Sequence, residues 1–406
     1  MRICVVTVAG YVHGIGGMQD HTVDLIRGLV AAGHEVEAIT ARHPEGAKRA
    51  EFAGARWHFV DAPSARQRLP MRHPAWHRTS AIRFGELHAR RPFDLVHSES
   101  TSALGLLHRG WHKRVPIAVK YHGNYVTFVR TAIGRILAGE NAVREAKGIA
   151  WNTGAHFLTR GNWYRFRVCE AMVPSRAQLH DTVRSGLLRP SRVHVVPNGI
   201  DGDAFSPGDQ EEARTQLGLG RGIVFIWLGR IYAGKGLDVA IRALARMDGG
   251  ASLLVVGDGE GRASHEELAA RAGLGERVRF AGSQPRERIP LYLRSADAFV
   301  FPTLLPEAAP LAPLQAMACG VPVLASRIGA VPELVGNPDR NGLLFEPGDV
   351  DDLARNMVRL AADKQLRTRI GWAGRERVLT EYSTGRMIEG TIAVYELARA
   401  RFGFSA

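Results

Sequence analysis

Short apolar runs alternate along this chain with longer segments in which apolar residues recur every three or four positions. Ile3–Val8 is a run of the first kind. Leu25, Ile26, Leu29 and Val30 form a stripe of the second kind, ended by Gly33. Runs of four to eight residues predict buried strands, and stripes at helical spacing predict helices packed on one side. In the first half this reading gives strands at Ile3–Val8, Glu35–Thr40, Asp94–His97, Ile117–Tyr121, Ala171–Val173 and Val193–Val196, with a helix near Asp20–Ala32. Pro197-Asn198-Gly199 is a turn signal, and Asp201–Gly208 reads as a linker. The pattern then restarts. Ile223–Leu228 is a strand, Gly229–Gly236 a loop and Leu237–Met247 a helix. Ser252–Val256, Ala298–Phe301 and Pro322–Ser326 are further strands, and Asp349–Ala400 is mostly helical. No repeat at 20–50 residues interrupts this order. The fold class predicted is α/β, with two Rossmann-like, doubly wound parallel-sheet domains. In such sheets the loops at the carboxyl ends of the strands carry the site, here in a cleft expected between the two domains.

Composition narrows the picture. The chain has 406 residues, of which 45% are hydrophobic, enough for a core in each half and too apolar for a disordered chain. Its 45 glycines show no three-residue period, which excludes collagen. Cys4, Cys169 and Cys319 lie far apart and have neither disulfide-framework nor zinc spacing, so buried free thiols are expected. No apolar run reaches the length of a spanning helix. Arg2 and the apolar residues after it mimic a signal peptide, but they run straight into Gly14, Gly16 and Gly17, as a first strand and loop would. The expected location is cytoplasmic.

The net charge of +13 is unevenly spread. Residues 1–200 carry 28 basic against 14 acidic side chains, and residues 201–406 carry 25 against 26. Arg outnumbers Lys 47 to 6, a coding bias that explains Arg in place of Lys but not the shortage of acids in one half. Arg66, Arg68, Arg72, Arg78, Arg83, Arg90 and Arg91 surround Trp76 and Phe84. Arg160, Arg165 and Arg167 surround Trp163, Tyr164 and Phe166. Basic residues interleaved with rings suit an anionic membrane surface, with the rings among headgroups, or a solvated basic face over ordinary core rings. No nucleic-acid motif accompanies the charge, so nucleic acid is not an expected partner.

Four places carry candidate chemistry. Gly14-Ile15-Gly16-Gly17 follows the first strand and opens a helix. It lets backbone N–H groups approach a phosphate, or it is simply a tight turn, since the third glycine of G-x-G-x-x-G is missing. Arg230 and Lys235 lie on one loop after a strand, where two cations grip a diphosphate or merely face solvent. His122 ends the strand Ile117–Tyr121, a position suited to a general base or a hydrogen-bond donor. Glu307 precedes a helix expected from Leu314 to Ala318, with Gln315 eight residues on. A carboxylate and an amide there suit sugar or ribose hydroxyls, and the helix start suits an anion.

Taken in this order, these segments resemble a family 4 glycosyltransferase of the retaining, nucleotide-sugar-dependent GT-B class. The resemblance rests on Gly16-Gly17, Gly33-His34-Glu35-Val36, Phe93-Asp94-Leu95-Val96-His97, His122-Gly123 and Pro197-Asn198-Gly199-Ile200-Asp201. It continues through Gly229-Arg230 with Lys235-Gly236, Val256-Gly257-Asp258-Gly259, Ala296-Asp297-Ala298 and Ala316-Met317-Ala318-Cys319-Gly320-Val321-Pro322-Val323. It implies an acceptor-binding domain at 1–200, a nucleotide-sugar-binding domain at 201–380, and a last helix at 381–406 that crosses back to the first domain. It also implies that Gly16 and Gly17 approach the donor diphosphate, that Arg230 and Lys235 neutralise it, and that Leu311 and Ala312 offer it N–H groups. Glu307 and His122 would stand beside the transferred sugar. Gln315 stands where the family has a second glutamate that binds ribose, and Pro310 where many members have a glycine.

The reaction expected is transfer of a sugar from a nucleoside diphosphate to a lipid-linked or otherwise anionic acceptor. The configuration would be retained and neither metal nor cofactor required. The chain would attach peripherally to the inner face of the cell membrane. A GT-B nucleotide-sugar epimerase and a non-catalytic sugar-nucleotide-binding protein are the alternatives.

Overall fold

A computed structural model describes residues 1–13, 16–63, 74–123, 133, 166, 169–184 and 188–403. Arg66, Arg68, Arg72, Arg160, Trp163, Tyr164, Arg165 and Arg167 lie outside the described residues, as do Gly14 and Ile15. The chain divides into two compact units. One is built mainly from the residues up to Gly199 together with the terminal segment from Thr384, and the other is mainly Ile200–Ser383.

The first unit is an eight-stranded sheet. Its strands are β1 (Arg2–Val6), β2 (Glu35–Thr40), β3 (Arg49–Phe52), β4 (Ala55–Phe59), β5 (Leu95–Glu99), β6 (Ile117–Lys120), β7 (Glu170–Val173) and β8 (Val193–Val195). Their order is β3-β4-β2-β1-β5-β6-β7-β8, and every pairing but β3–β4 is parallel. β1, β5, β6 and β7 are buried along their whole length, as strands covered on both faces must be. The two-residue period of a strand sends alternate side chains to different cores. Cys4 and Val6 pack with Trp76, Phe84 and Val96 on one face. Ile3 and Val5 pack with Leu25, Ile26 and Leu29 of the first helix (Gly17–Ala31) on the other. Met387, Ile388 and Tyr395 of the terminal helix (Thr384–Gly403) complete this second core. The helix leans on the first one closely enough that a Cβ at Gly28 would lie 2.4 Å from Ile388.

The second unit repeats the plan with six parallel strands: β9 (Ile223–Leu228), β10 (Ala251–Val256), β11 (Val278–Gly282), β12 (Ala298–Phe301), β13 (Val323–Ser326) and β14 (Leu343–Phe345). Their order is β11-β10-β9-β12-β13-β14. Phe225 and Trp227 enter one core, while Val224 and Ile226 enter the other. In both sheets the strand order reverses beside the first strand of the unit, between β1 and β5 and between β9 and β12. These are the switch points where open α/β sheets bind ligands.

Several elements depart from the sequence reading. The hairpin β3–β4 turns at Ala53 and Gly54, both at positive φ, a geometry that alanine does not announce in the sequence. β11 and β14 also have no clear signal of their own. The helix expected from Leu314 begins at Leu311. The three cysteines are free and buried. Trp76, Phe84 and Phe166 are wholly buried, and the Trp76 indole donates to the Ser102 carbonyl at 2.9 Å. These rings belong to the core, the second of the two readings, and do not sit among lipid headgroups. Among the described residues, no helix is long and apolar enough to cross a membrane.

One buried charge network gives a measurable consequence. Glu37 on β2 accepts from Arg2 and, at 2.6 Å, from His58. Burial would raise its carboxyl, but the hydrogen bonds and charges of His58 and Arg2 hold it at about 2. A folded value below the unfolded one means that the unfolded chain binds more protons between about pH 2 and 4.5. Stability therefore falls as pH drops through that window, by about 3 kcal/mol in all. Glu37→Gln is expected to remove this share of the acid limb in pH-dependent melts.

Candidate active site

In the first unit, Glu99 ends β5 in register with Lys120, which ends β6, and His122 follows two residues later. Glu99 is wholly buried and accepts a hydrogen bond from His122 Nε2. His97 Nε2 and His21 Nε2 approach the other carboxylate oxygen of Glu99, at 3.4 and 3.8 Å. The His21 and His122 rings meet edge to face at 4.8 Å. Burial of Glu99 would raise its carboxyl, but His122, His97 and His21 together hold it well below the usual range. Burial keeps His21 neutral, well below the ordinary histidine value. Burial likewise lowers the Lys120 ammonium to about 7, and that ammonium donates to the Val196 carbonyl.

His21 stands four residues beyond Gly17, so the first helix ties the glycine loop to His122. This helix has no side-chain cap, which leaves its first N–H groups without an intrahelical partner. Gly16 has a φ of 177°, an extended torsion open to any residue, so what sets it apart is its missing side chain.

His21, Glu99 and His122 offer ligand atoms within 4.8 Å of one another, and they are the one such group among the described residues. The sequence hid this trio because its members come from three separate elements. For a cation the fit is poor. His122 already spends Nε2 on Glu99.

In the second unit the candidates gather at the carboxyl ends of β9 and β12. Lys235 Nζ donates to Glu307 Oε1, and Thr303 Oγ1 lies 3.4 Å from the same oxygen. Burial would lower the Lys235 ammonium, but Glu307 and Tyr232 raise it above its ordinary value. It is therefore charged at any physiological pH. Glycines set this geometry. Gly236, at φ +69°, lets the loop after β9 press on the Pro302 carbonyl, where a Cβ would lie at 1.8 Å. Gly257 does the same against the Gly229 carbonyl.

Arg230 separates from Lys235. It is mostly exposed and pairs with Glu260 at 3.0 Å, so the two cations do not share a partner. Helix Leu311–Ala318 has Pro310 as its N-cap and Pro313 in its first turn. Of the four N–H groups a helix start leaves unused, two are removed by proline, and those of Leu311 and Ala312 remain. Gln315 is buried on the same helix. A cavity of about 880 Å³ in this unit opens at the amino ends of the strands, beside Ile223, Ala251, Asp297 and Pro322, away from Lys235.

The sequence reading missed His21, His97, Glu99, Thr303 and Tyr232. Of these, His97 lay in the Phe93-Asp94-Leu95-Val96-His97 motif without a role, and Glu99 closes the same strand two residues on.

Comparison with known proteins agrees with this arrangement. Residues 15–204 match the model of Glycosyltransferase Family 4, and residues 209–377 match that of Glycosyl transferases group 1. The chain is 26% identical to an MMP alpha-(1->4)-mannosyltransferase of Mycolicibacterium hassiacum, over 99% of both chains. It is 35% identical to a D-inositol 3-phosphate glycosyltransferase of Mycobacteroides abscessus, over 48% of this chain and 43% of that protein. The latter match thus spans under half of that relative's length. Among solved structures, sucrose-phosphate synthase from Thermosynechococcus elongatus superposes with a TM-score of 0.80 at 24% identity, over 98% of this chain and 99% of that one. With two parallel-sheet α/β units, each with its candidate residues at the strand ends, the chain belongs to the GT-B glycosyltransferases, with a Family 4 region followed by a group 1 region.

Proposed function

We propose that the protein transfers a sugar from a nucleoside diphosphate sugar to an acceptor hydroxyl with retention of anomeric configuration. The observation that carries this reading is the Lys235 ammonium, held charged against Glu307 at a switch point and near an uncapped helix start. The leaving group of such a reaction is a diphosphate, and stabilising its growing charge is the main catalytic task. Lys235 meets it directly, with Arg230 at the loop's outer side and the N–H groups of Leu311 and Ala312 as further donors. Side chains and backbone rather than a metal supply the charge. When donor binds, the phosphate replaces Glu307 as the partner of Lys235, and Glu307 turns to the sugar hydroxyls. Gln315, neutral and buried, accepts from one ribose hydroxyl. Gly16 and Gly17 let backbone approach the diphosphate, and His122 lies at the sugar. In a front-face displacement, the departing phosphate takes the acceptor's proton.

The excess of basic residues in the first half favours an anionic acceptor. With Trp76, Phe84 and Phe166 in the core, charge rather than ring insertion supports that choice.

A thermal-shift panel of UDP-, GDP- and ADP-sugars tests the donor class. The true donor at 100 times its dissociation constant should stabilise by about 2.7 kcal/mol. No shift with any member would sink the reading. Pro310 and Gln315 favour a second reading, a binding protein without turnover, because each removes a donor or a charge that a transferase would use. Donor binding with no transfer to any of a set of phosphorylated acceptors would support it. Conversion of donor to its epimer without acceptor would instead indicate an epimerase.

A further inference from the structure

His122 is the last member of a buried polar chain that begins on the terminal helix. Tyr395 Oη lies 2.7 Å from His97 Nδ1. His97 Nε2 faces one oxygen of Glu99 at 3.4 Å, and the other oxygen of Glu99 holds His122 Nε2. Tyr395, His97 and Glu99 are at most 1% exposed, whereas His122 is partly open to solvent. The chain therefore runs from the core to the one member that a ligand can reach.

We propose that Glu99 is a positioning residue for His122, held in turn by His97 and Tyr395. The inference rests on the reading of His122 as a group at the transferred sugar. The direction of each proton follows from the acceptor rules. An ionised carboxylate only accepts, so His122 must present N–H at Nε2, which leaves Nδ1 as the free acceptor of the neutral ring. A proton at His97 Nε2 faces the other carboxylate oxygen at 3.4 Å, a looser contact, and leaves Nδ1 to accept from the Tyr395 hydroxyl. The orientation and tautomer of His122 are thus set by a carboxylate that never meets the substrate. Such second partners of a histidine fix which nitrogen does the work.

The other charged and titratable groups around His122 do not compete for Nε2. His21 packs edge-on and is neutral, and the Lys120 ammonium is directed to the Val196 carbonyl. The free atoms also fit. His21 Nδ1 and Nε2, His97 Nε2 and Glu99 Oε1 have no close hydrogen-bond partner although buried. The Glu99–His122 contact is thus the tightest link of the cluster and the one through which the carboxylate acts.

The test uses the full-length protein with 15N-labelled histidine. Long-range 1H–15N spectra at a pH where the ring is neutral report the tautomer without any substrate, and His122→Asn assigns the signal. Wild type should show His122 as a single Nε2–H form. Glu99→Gln keeps the shape but offers the ring an amide that can donate as well as accept. Both tautomers should then appear, and kcat with the donor selected by the nucleotide panel should fall about tenfold or more, with donor KM changed less than about threefold. Tyr395→Phe should lower kcat by about two- to fivefold at unchanged KM. Should Glu99→Gln fail to fold, Glu99→Asp takes its place, with the carboxylate withdrawn by one methylene and the same two readouts. The proposal is overturned if the carboxylate variant keeps a single Nε2–H tautomer, or if its kcat stays within about twofold of wild type. Full transfer by His122→Ala would sink the reading of His122 instead, while the tautomer spectrum still decides whether Glu99 positions the ring.

Discussion

Lys235→Ala is expected to lower kcat by about 10²–10³-fold with the fold intact, the usual effect of removing one preorganised donor from a developing charge. The ammonium is raised above its ordinary value by Glu307 and Tyr232, so at neutral pH it is a full charge waiting for an anion. Without it, what the second unit offers a diphosphate leaving group is the N–H groups of Leu311 and Ala312 and the outlying Arg230. Arg230 makes a poor substitute because it already pairs with Glu260 and is 71% exposed, where solvent weakens its field. The fold should survive because Glu307 keeps some access to water (19% exposed), so the carboxylate left behind is not stranded. The measurement is steady-state transfer with the panel-selected donor, beside a thermal melt. Melting close to wild type with kcat at least about a hundredfold down is the expected pair of results. Transfer near the wild-type rate would remove Lys235 from the chemistry and leave the assignment of the second unit without its main support.

Gly236→Ala should be severely damaging for a single added methyl. Two independent penalties fall on it. At φ +69° an alanine costs about 1–2 kcal/mol in the left-handed region. The new Cβ would also lie 1.8 Å from the Pro302 carbonyl oxygen, which is backbone and cannot rotate away. The loop carrying Lys235 must then lift off the end of β12, and the contact of Lys235 with Glu307 lifts with it. A loss of about 3–5 kcal/mol is expected, at the severe end for one substitution. The readout is a large drop in the melting temperature of the second unit, with the Glu37 share of the acid limb in the first unit unmoved. Gly33→Ala is the control for torsion alone, because Gly33 has a similar φ of +81° and open space around its Cβ position. If both variants melted alike, the Pro302 contact would carry no energy.

Much of the architecture is legible in the residues because several central strands are apolar runs. β1, β9 and β12 are read this way, and their strand-end loops lead to the glycines, Lys235 and Glu307 without any structure. What stays hidden is whatever depends on partners distant in sequence. The hairpin β3–β4 is set by Ala53 at positive φ and by the Val30 side chain beside Gly54, neither of which marks a turn. Arg230 and Lys235 look equivalent five residues apart, and only the fold shows that Glu260 takes one while Glu307 takes the other. Trp76 and Phe84 sit among arginines in the chain yet point into the core, because their helix turns one face inward whatever its neighbours in sequence are. Glu99 gains its meaning from His21 and His122, which reach it from two other parts of the chain.

The return of the terminal helix to the first unit bears on the order in which the protein can be made. Ile3, Val5, Leu25, Ile26 and Leu29 emerge early, but Met387, Ile388 and Tyr395, which cover them, come almost four hundred residues later. Synthesis at about 5–20 residues per second leaves that apolar face waiting for tens of seconds. The second unit has its whole sheet between Ile200 and Ser383 and waits for nothing downstream. The half that begins the chain is therefore the half that finishes folding last, and in the interval its exposed face is a natural client for a holding chaperone.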